Sequence, residues 1–210
     1  MRRYTPEYRQ IVTLRDGQTT QLRLLQPEDR DLLVQGFSEL SEMTRYHRFF
    51  AHKRQLTRQD LDYLTVLDHE RHVALGATRS AATGQVQPMG VARFICGADP
   101  REAEAAVVVV DAHQRLGLGR LLLEHLGEAA AERGIETLLF TTLAINRGLF
   151  SAVRSSFSDV RTSPIEDGTC TLSVSLESSH AHPLRWARRS VASLAEAQLS
   201  LLRRINGGAA

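Results

Sequence analysis

Glu104-Ala-Ala-Val-Val-Val-Val110 runs through Asp111-Ala112-His113 into Gln114-Arg115-Leu116-Gly117-Leu118-Gly119-Arg120, and the fold turns on how this stretch is read. The run to Val110 is too β-branched and too continuous for an exposed helix and suits a central strand buried on both faces. After it, apolar residues at 118, 121, 122, 126, 129 and 130 fall on one helical face, with Glu124, Glu128 and Glu132 opposite and Gly134 closing the helix near Arg133. A strand thus enters a Gly-x-Gly turn and then an amphipathic helix. The first N–H groups of such a helix have no intrahelical acceptor, which makes the junction an anion site. A Cβ at 117 or 119 would hold a pyrophosphate off the backbone or forbid the required φ, and Arg115 and Arg120 add charge.

Outward from this core the chain alternates. Strands over 11–14 and 20–25 flank Asp16-Gly17 as a hairpin. Pro27-Glu28-Asp29 then opens a helix with the stripe Leu32, Leu33, Phe37 and Leu40. A short helix over 41–50 and a third, capped at Thr57 and reaching Leu67, precede strands over 72–78 and 89–96. Beyond the central helix come a strand over 137–145, a helix over 147–157, and strands over 158–162 and 170–176. The pattern predicts a mixed α/β fold: a central, mostly antiparallel sheet splayed near Val108–Val110, with helices on both faces. Residues 1–179 form this domain, and 180–210 form a basic helical extension over about 184–205.

Composition narrows the class. Hydrophobic residues at 42% and charged residues at 24% exclude a disordered or collagen-like chain. The net charge of +2 is uneven: residues 181–210 hold five arginines and one glutamate, +4, which leaves −2 for the rest. A mildly acidic body argues against a nucleic-acid binder, which would spread Lys and Arg over a broad face. Two cysteines, Cys96 and Cys170, without CxxC spacing, and a start lacking an apolar h-region point to a reducing cytoplasm. No apolar stretch reaches the roughly 18 residues of a membrane span. The extension offers Val191, Leu194 and Ile205 on one face, suited to a homodimer through this helix or to docking on the body.

Three phosphate-binding readings compete at the turn. A P-loop needs Gly-Lys-Ser/Thr, but Gly119 precedes Arg120-Leu121. A dinucleotide fingerprint needs a third glycine where Leu122 stands. What remains, Gln114-x-x-Gly117-x-Gly119 behind a valine-rich strand, resembles the acyl-CoA signature of the GNAT superfamily of N-acetyltransferases. The order of elements over about 10–177 resembles that family too. The resemblance implies acetyl-CoA as cosubstrate. It further implies that the backbone of Gln114, Arg115, Leu116, Gly117, Leu118, Gly119 and Arg120 binds the pyrophosphate, that Val108, Val109 and Val110 pair with the pantetheine arm, and that Asn146 contacts the cosubstrate. Pantetheine amides can in any case bond a splayed strand edge like an added strand. The plainer alternative is that the two glycines only close a tight turn.

Acetyl transfer to an amine requires a neutral nucleophile, so an ammonium must lose a proton. Glu104, at the start of the central strand, resembles the general-base glutamate of bacterial protein-lysine acetyltransferases in this superfamily, and apolar neighbours would raise its pKa. A solvated strand-end charge is the other reading. A backbone N–H near Val109 or Val110 would polarise the thioester carbonyl. Two departures stand out: Ser151–Phe157 lacks the tyrosine that many family members use as an acid, and Ser156-Phe157 replaces Gly-Phe. A catalytically silent CoA-binding regulatory or scaffold module is therefore the second functional reading, beside N-acetyltransfer to a protein lysine or small amine.

Tyr46-x-Arg48-Phe49-Phe50 and Asp68-His69-Glu70 resemble the same bacterial subgroup and would line the acceptor groove. Core aromatics and a structural ion pair for Arg48 are the alternative. His69-x-x-His72 and His180-x-His182 lack a third ligand at useful spacing, so no metal is expected.

Overall fold

The computed structural model of the protein describes residues 2–81 and 84–176. The extension expected over 180–210, with its self-association and His180-x-His182, lies outside the described residues.

The opening hairpin forms from β1 (Arg9–Thr13) and β2 (Thr19–Leu24), followed by α1 (Arg30–Ser38), α2 (Glu42–Phe49) and α3 (Arg58–Thr65). β3 (His72–Ser80) and β4 (Val86–Cys96) make a second hairpin, and β5 (Glu102–Val109) leads to α4 (Leu118–Ala131). β6 (Thr137–Leu143), α5 (Arg147–Ser156), β7 (Val160–Thr162) and β8 (Thr169–Ser175) complete the order. The strands form one sheet, β1-β2-β3-β4-β5-β6-β8-β7. Every neighbouring pair is antiparallel except β5 with β6. The mixed, mostly antiparallel α/β sheet expected from the sequence is the fold observed.

Three helices, α2, α3 and α5, start where a side chain takes an orphan N–H. Ser41 caps α2 by accepting from Thr44 N–H at 3.2 Å, and Thr57 caps α3 by accepting from Asp60 N–H at 3.1 Å. The Asp60 carboxylate bonds back to Thr57 N–H at 2.6 Å, a capping box with Asp in place of Glu.

The apolar stripe of α4, Leu122, Leu123, Leu126, Ala129 and Ala130, is fully buried against Leu75, Phe94, Ala103, Ala105 and Phe140. A smaller cluster of Phe37, Leu40, Phe49 and Val110 fills the opposite face, beneath α1 and α2. Since side chains alternate along a strand, Ala103, Ala105, Val107 and Val109 face α4, while Glu104, Ala106 and Val108 face α1–α3.

Three sequence expectations change. β5 is not buried on both faces throughout: Ala103 and Ala105 are, but Val107–Val109 are half-buried, because the strand loses its β6 neighbour there. Glu104 is also the third residue of β5 and not the first. The polar side of α4 is no free solvent face either. The Tyr4 hydroxyl, fully buried, bonds His125 Nδ1 at 2.7 Å and the Glu128 carboxylate, and Glu132 accepts the N–H groups of Arg3 and Tyr4.

Gly90 sits in β4 opposite Val109. A Cβ there would lie 2.8 Å from Val108 O and 3.2 Å from a Leu122 methyl, and the first of these is backbone that cannot swing aside. Gly90→Ala should force β5 away from β4 and cost about 1–3 kcal/mol, as overpacking generally does. Urea denaturation checks this; an unchanged midpoint would contradict it.

Candidate active site between two parting strands

β5 and β6 pair only through Glu102↔Thr137, Ala103↔Leu138 and Glu104↔Leu139. Beyond Glu104, β5 stays with β4 as far as Val109, and β6 stays with β8 as far as Leu143. The two strands therefore part, and the Ala105–Val109 edge borders a cleft of about 800 Å³. Its other walls come from α2, the turn before α4, and the start of α5.

At the open end, Arg115 has φ 63° and Gly117 φ 88°, both left-handed. Left-handed residues alternating with right-handed ones gather consecutive N–H groups into an anion-binding concavity, and only glycine adopts φ 88° without strain. α4 has neither a side-chain cap nor an acidic residue in its first turn, and Leu121 N–H is the first to bond back, to Gly117 O at 3.1 Å. Its positive end is left to the cleft. A Cβ at Gly119 would meet only a Val109 methyl at 3.7 Å, an ordinary contact. Nothing in the protein demands glycine there. It leaves the backbone at the start of α4 open to the cleft.

Charge around the cleft agrees. Arg15, Arg48, Arg115, Arg120, Arg147 and His47 line it against a single carboxylate, Asp111. Asp111 is already engaged: it accepts from Ser41 N–H at 2.9 Å, Ser41 Oγ at 2.7 Å and Thr44 Oγ at 2.9 Å. These bonds hold its carboxyl below the usual range, against its partial burial, and fasten the start of α2 to the end of β5. Gln114 donates to Val109 O at 3.1 Å, fixing the turn to the strand. Asn146 caps α5, accepting from Leu149 N–H and donating to Thr142 Oγ, both at 3.2 Å.

Glu104 lies where the strands part, on the face of Ala106 and Val108. Burial alone raises its carboxyl pKa to about 7, so near neutrality both the acid and the carboxylate are populated. On the α5 side, Ser151, Ala152 and Ser155 line the cleft; the missing tyrosine has no substitute phenol among the lining residues. Ser156, where a glycine was expected, bonds Ala152 O at 2.8 Å and Arg120 O at 3.3 Å.

Of the residues singled out in the sequence, Val108, Val109, Gln114, Arg115, Gly117, Gly119, Arg120 and Asn146 come together around the cleft. Leu118 is buried in the core, and Leu116 packs against it with its O accepting from Arg15 N–H at 3.3 Å, so both can offer only backbone to the cleft. Val110 lies beyond β5, buried with Phe37 and Phe49, and gives its N–H to Met89 O at 2.9 Å; that N–H is not available to a pantetheine or a carbonyl. Sequence reasoning missed Arg15, Asp111 and Arg147, and the only signal was their charge. Among the described residues, no cluster of His, Cys, Asp and Glu could hold a metal ion, and no helix is long and apolar enough to cross a membrane.

The Acetyltransferase (GNAT) family model matches residues 31–150. An acetyltransferase of Pseudomonas aeruginosa is 29% identical over 139 residues, 66% of this chain and 74% of that protein. The GNAT domain of S. lividans PAT superposes with a TM-score of 0.72 at 29% identity, over 82% of this chain and 99% of that one. The structure of yncA from Salmonella typhimurium with its cofactor acetyl-CoA has the same fold, with a TM-score of 0.61 at 18% identity over 78% of this chain and 97% of that one. The chain belongs to the GNAT acetyltransferase family, an acyl-CoA-dependent N-acyltransferase whose cosubstrate is acetyl-CoA.

Proposed function

We propose that the chain acetylates an amine, a protein lysine or a small molecule, by direct attack in a ternary complex, with Glu104 as general base. The observation that carries this is the position of Glu104: the last β5 residue paired with β6, set where the cleft begins and with its carboxyl pushed to about 7. A base poised near the working pH combines a usable population of carboxylate with the strength to take a proton. The Gln114–Arg120 backbone and its arginines would hold the pyrophosphate, and the Val108–Val109 edge the pantetheine arm, with Asn146 beside it. Acetyl-CoA supplies the activated acyl group. The Val109 N–H is the donor on that edge closest in sequence to the turn and is the candidate to polarise the carbonyl. The acceptor would enter over α2, whose Tyr46–Phe50 segment resembles the bacterial protein-lysine acetyltransferases, in keeping with the likeness to S. lividans PAT.

Thiol release from acetyl-CoA with a panel of amines and lysine peptides tests the activity; no release above background with any acceptor would overturn it. Glu104→Gln should lower kcat by about 10²–10⁴, the usual worth of a general base, while acetyl-CoA affinity stays within about twofold. In the wild type, activity should rise with pH through about 7 as the carboxyl ionises, and the variant should lack that limb. The same shift fixes the sign of a stability effect. A carboxyl pKa raised from 4.5 to about 7 means that the fold favours the protonated form, so stability falls as pH rises across that window. Denaturation midpoints of Glu104→Gln should not show that fall.

The turn has its own test. Gly119→Ala should leave Tm unchanged or slightly higher, since Ala favours helix over Gly by about 1 kcal/mol, yet weaken acetyl-CoA binding about tenfold or more by taking its pyrophosphate off the backbone. Calorimetric titration with acetyl-CoA decides; unaltered affinity would mean that Gly119 only closes a turn.

A further inference from the structure

The face of the sheet that carries Glu104 also carries an unneutralised pair of arginines. Arg93, in β4 opposite Ala106, is only 5% exposed. Its Nη1 lies 3.1 Å from His72 Nε2, and its Nη2 donates to Leu64 O at 3.3 Å. Arg48 reaches the same place from α2, its guanidinium 5.1 Å from the Phe49 ring centroid. Burial lowers the pKa of both, and the charge of Arg48 lowers that of Arg93 further. His72, held neutral by burial and by Arg93, supplies no countercharge. Among the described residues neither arginine has a carboxylate within ion-pair distance. Tyr63 faces both arginines and favours their charged forms, but it is a phenol and not a carboxylate. Two neighbouring cations without a carboxylate, Arg93 buried and Arg48 partly so, are costly, and an anion that arrives between them is bound strongly for the same reason.

There is a place for it. Both arginines line a cavity of about 70 Å³ whose other walls, Phe37, Leu64 and Val108 among them, are apolar or glycine. Arg48, Ala106 and Val108 line the acetyl-transfer cleft as well, so the cavity adjoins the cleft on the sheet face that carries Glu104. One water needs about 10–15 Å³ of such space. The cavity therefore takes a carboxylate with a short aliphatic stem and refuses a nucleotide or a large ring. A phosphate would leave oxygens against apolar walls, whereas two guanidinium forks satisfy a carboxylate.

We propose that Arg48 and Arg93 form a carboxylate receptor for the acceptor, so that the preferred amine carries a carboxylate on a short aliphatic chain. This deepens the reading of the cleft as an acetyl-transfer site and rests on it. The carboxylate is assigned to the acceptor and not to a dicarboxylic acyl group because the receptor lies on the face of Glu104, where the amine must give up its proton.

The test compares ω-amino acids from glycine to 5-aminopentanoate with their primary amides, read as kcat/KM with acetyl-CoA. At least one acid should exceed its amide by about tenfold or more, the scale of a charge-assisted pair. Arg48→Gln should bring that ratio toward one, and Arg48→Lys should retain part of it. Equal use of acid and amide at every length overturns the proposal. So does an Arg48-dependent preference for succinyl-CoA over acetyl-CoA with the amides, which would give the carboxylate to the donor. If no amine in the panel releases thiol, the acetyl-transfer reading fails for these acceptors, and the receptor is judged separately by Tm with CoA present. The acid must then raise Tm more than its amide, and equal shifts overturn it.

Discussion

The constraint on which the rest of the structure depends is the loss of pairing between β5 and β6 after Glu104 and Leu139. A strand in the middle of an eight-stranded sheet is left without a neighbour on one side from Ala105 to Val109. Backbone N–H and C=O groups in such a place must find partners in water or in a ligand. A chain of amides laid along the edge satisfies them as a strand would, and the pantetheine arm of the cosubstrate is such a chain. The same parting distributes the other parts of the site. Glu104 falls at the last paired position, one residue before the cleft lining begins at Ala105, and the positive end of α4 falls where β5 runs out. The start of α5 falls on the β6 side.

The two ends of the cleft live in different electrostatic regimes. At the open end the arginines are water-exposed; each pairs weakly and is screened by salt, but together they attract a polyanion. Where the strands part, just before the cleft, the charge is a carboxyl without a cation close enough to lower its pKa, for burial is the sole cause of its shift. Had a guanidinium reached it, the carboxylate would have been stabilised and the base weakened. Arg93, in β4 opposite Ala106, and Arg48, from α2, act on each other on this face while burial alone shifts the Glu104 carboxyl.

Local signals were legible in the sequence wherever one element decided the outcome. The apolar spacing from Leu118 gives α4, the valine run gives β5, and Gly117 marks the left-handed residue that joins them. Contacts between elements far apart in sequence were not legible. Nothing in Arg15 indicates that it lies beside Gly117, nor in Asp111 that it holds Ser41 and Thr44. The segment Arg48-Phe49-Phe50 divides between its two readings. Phe49 is core. Phe50, left-handed at φ 52°, lines the cleft, and among the described residues Arg48 lacks the ion pair that the structural reading supposed. The half-burial of Val107–Val109 was hidden for a related reason: a valine run looks the same whether its second neighbour is a strand or an open cleft.

The absent tyrosine weighs less than the family pattern suggests, and magnitudes show why. A thiol such as that of CoA has a pKa near 8.5, so at pH 7–8 protonating it as it departs gains only about 1–2 kcal/mol. A backbone donor at a developing oxyanion contributes about 2.7–4 kcal/mol, and a well-placed base a factor of about 10²–10⁴. The first turns of α4 and α5, neither carrying an acidic residue, both open on the cleft and favour negative charge there without any phenol. Replacing a tyrosine by Ser151 or Ser155 therefore removes the smallest of three contributions. The two larger ones, which the proposed function gives to the strand edge and the half-buried Glu104, both sit where β5 and β6 part.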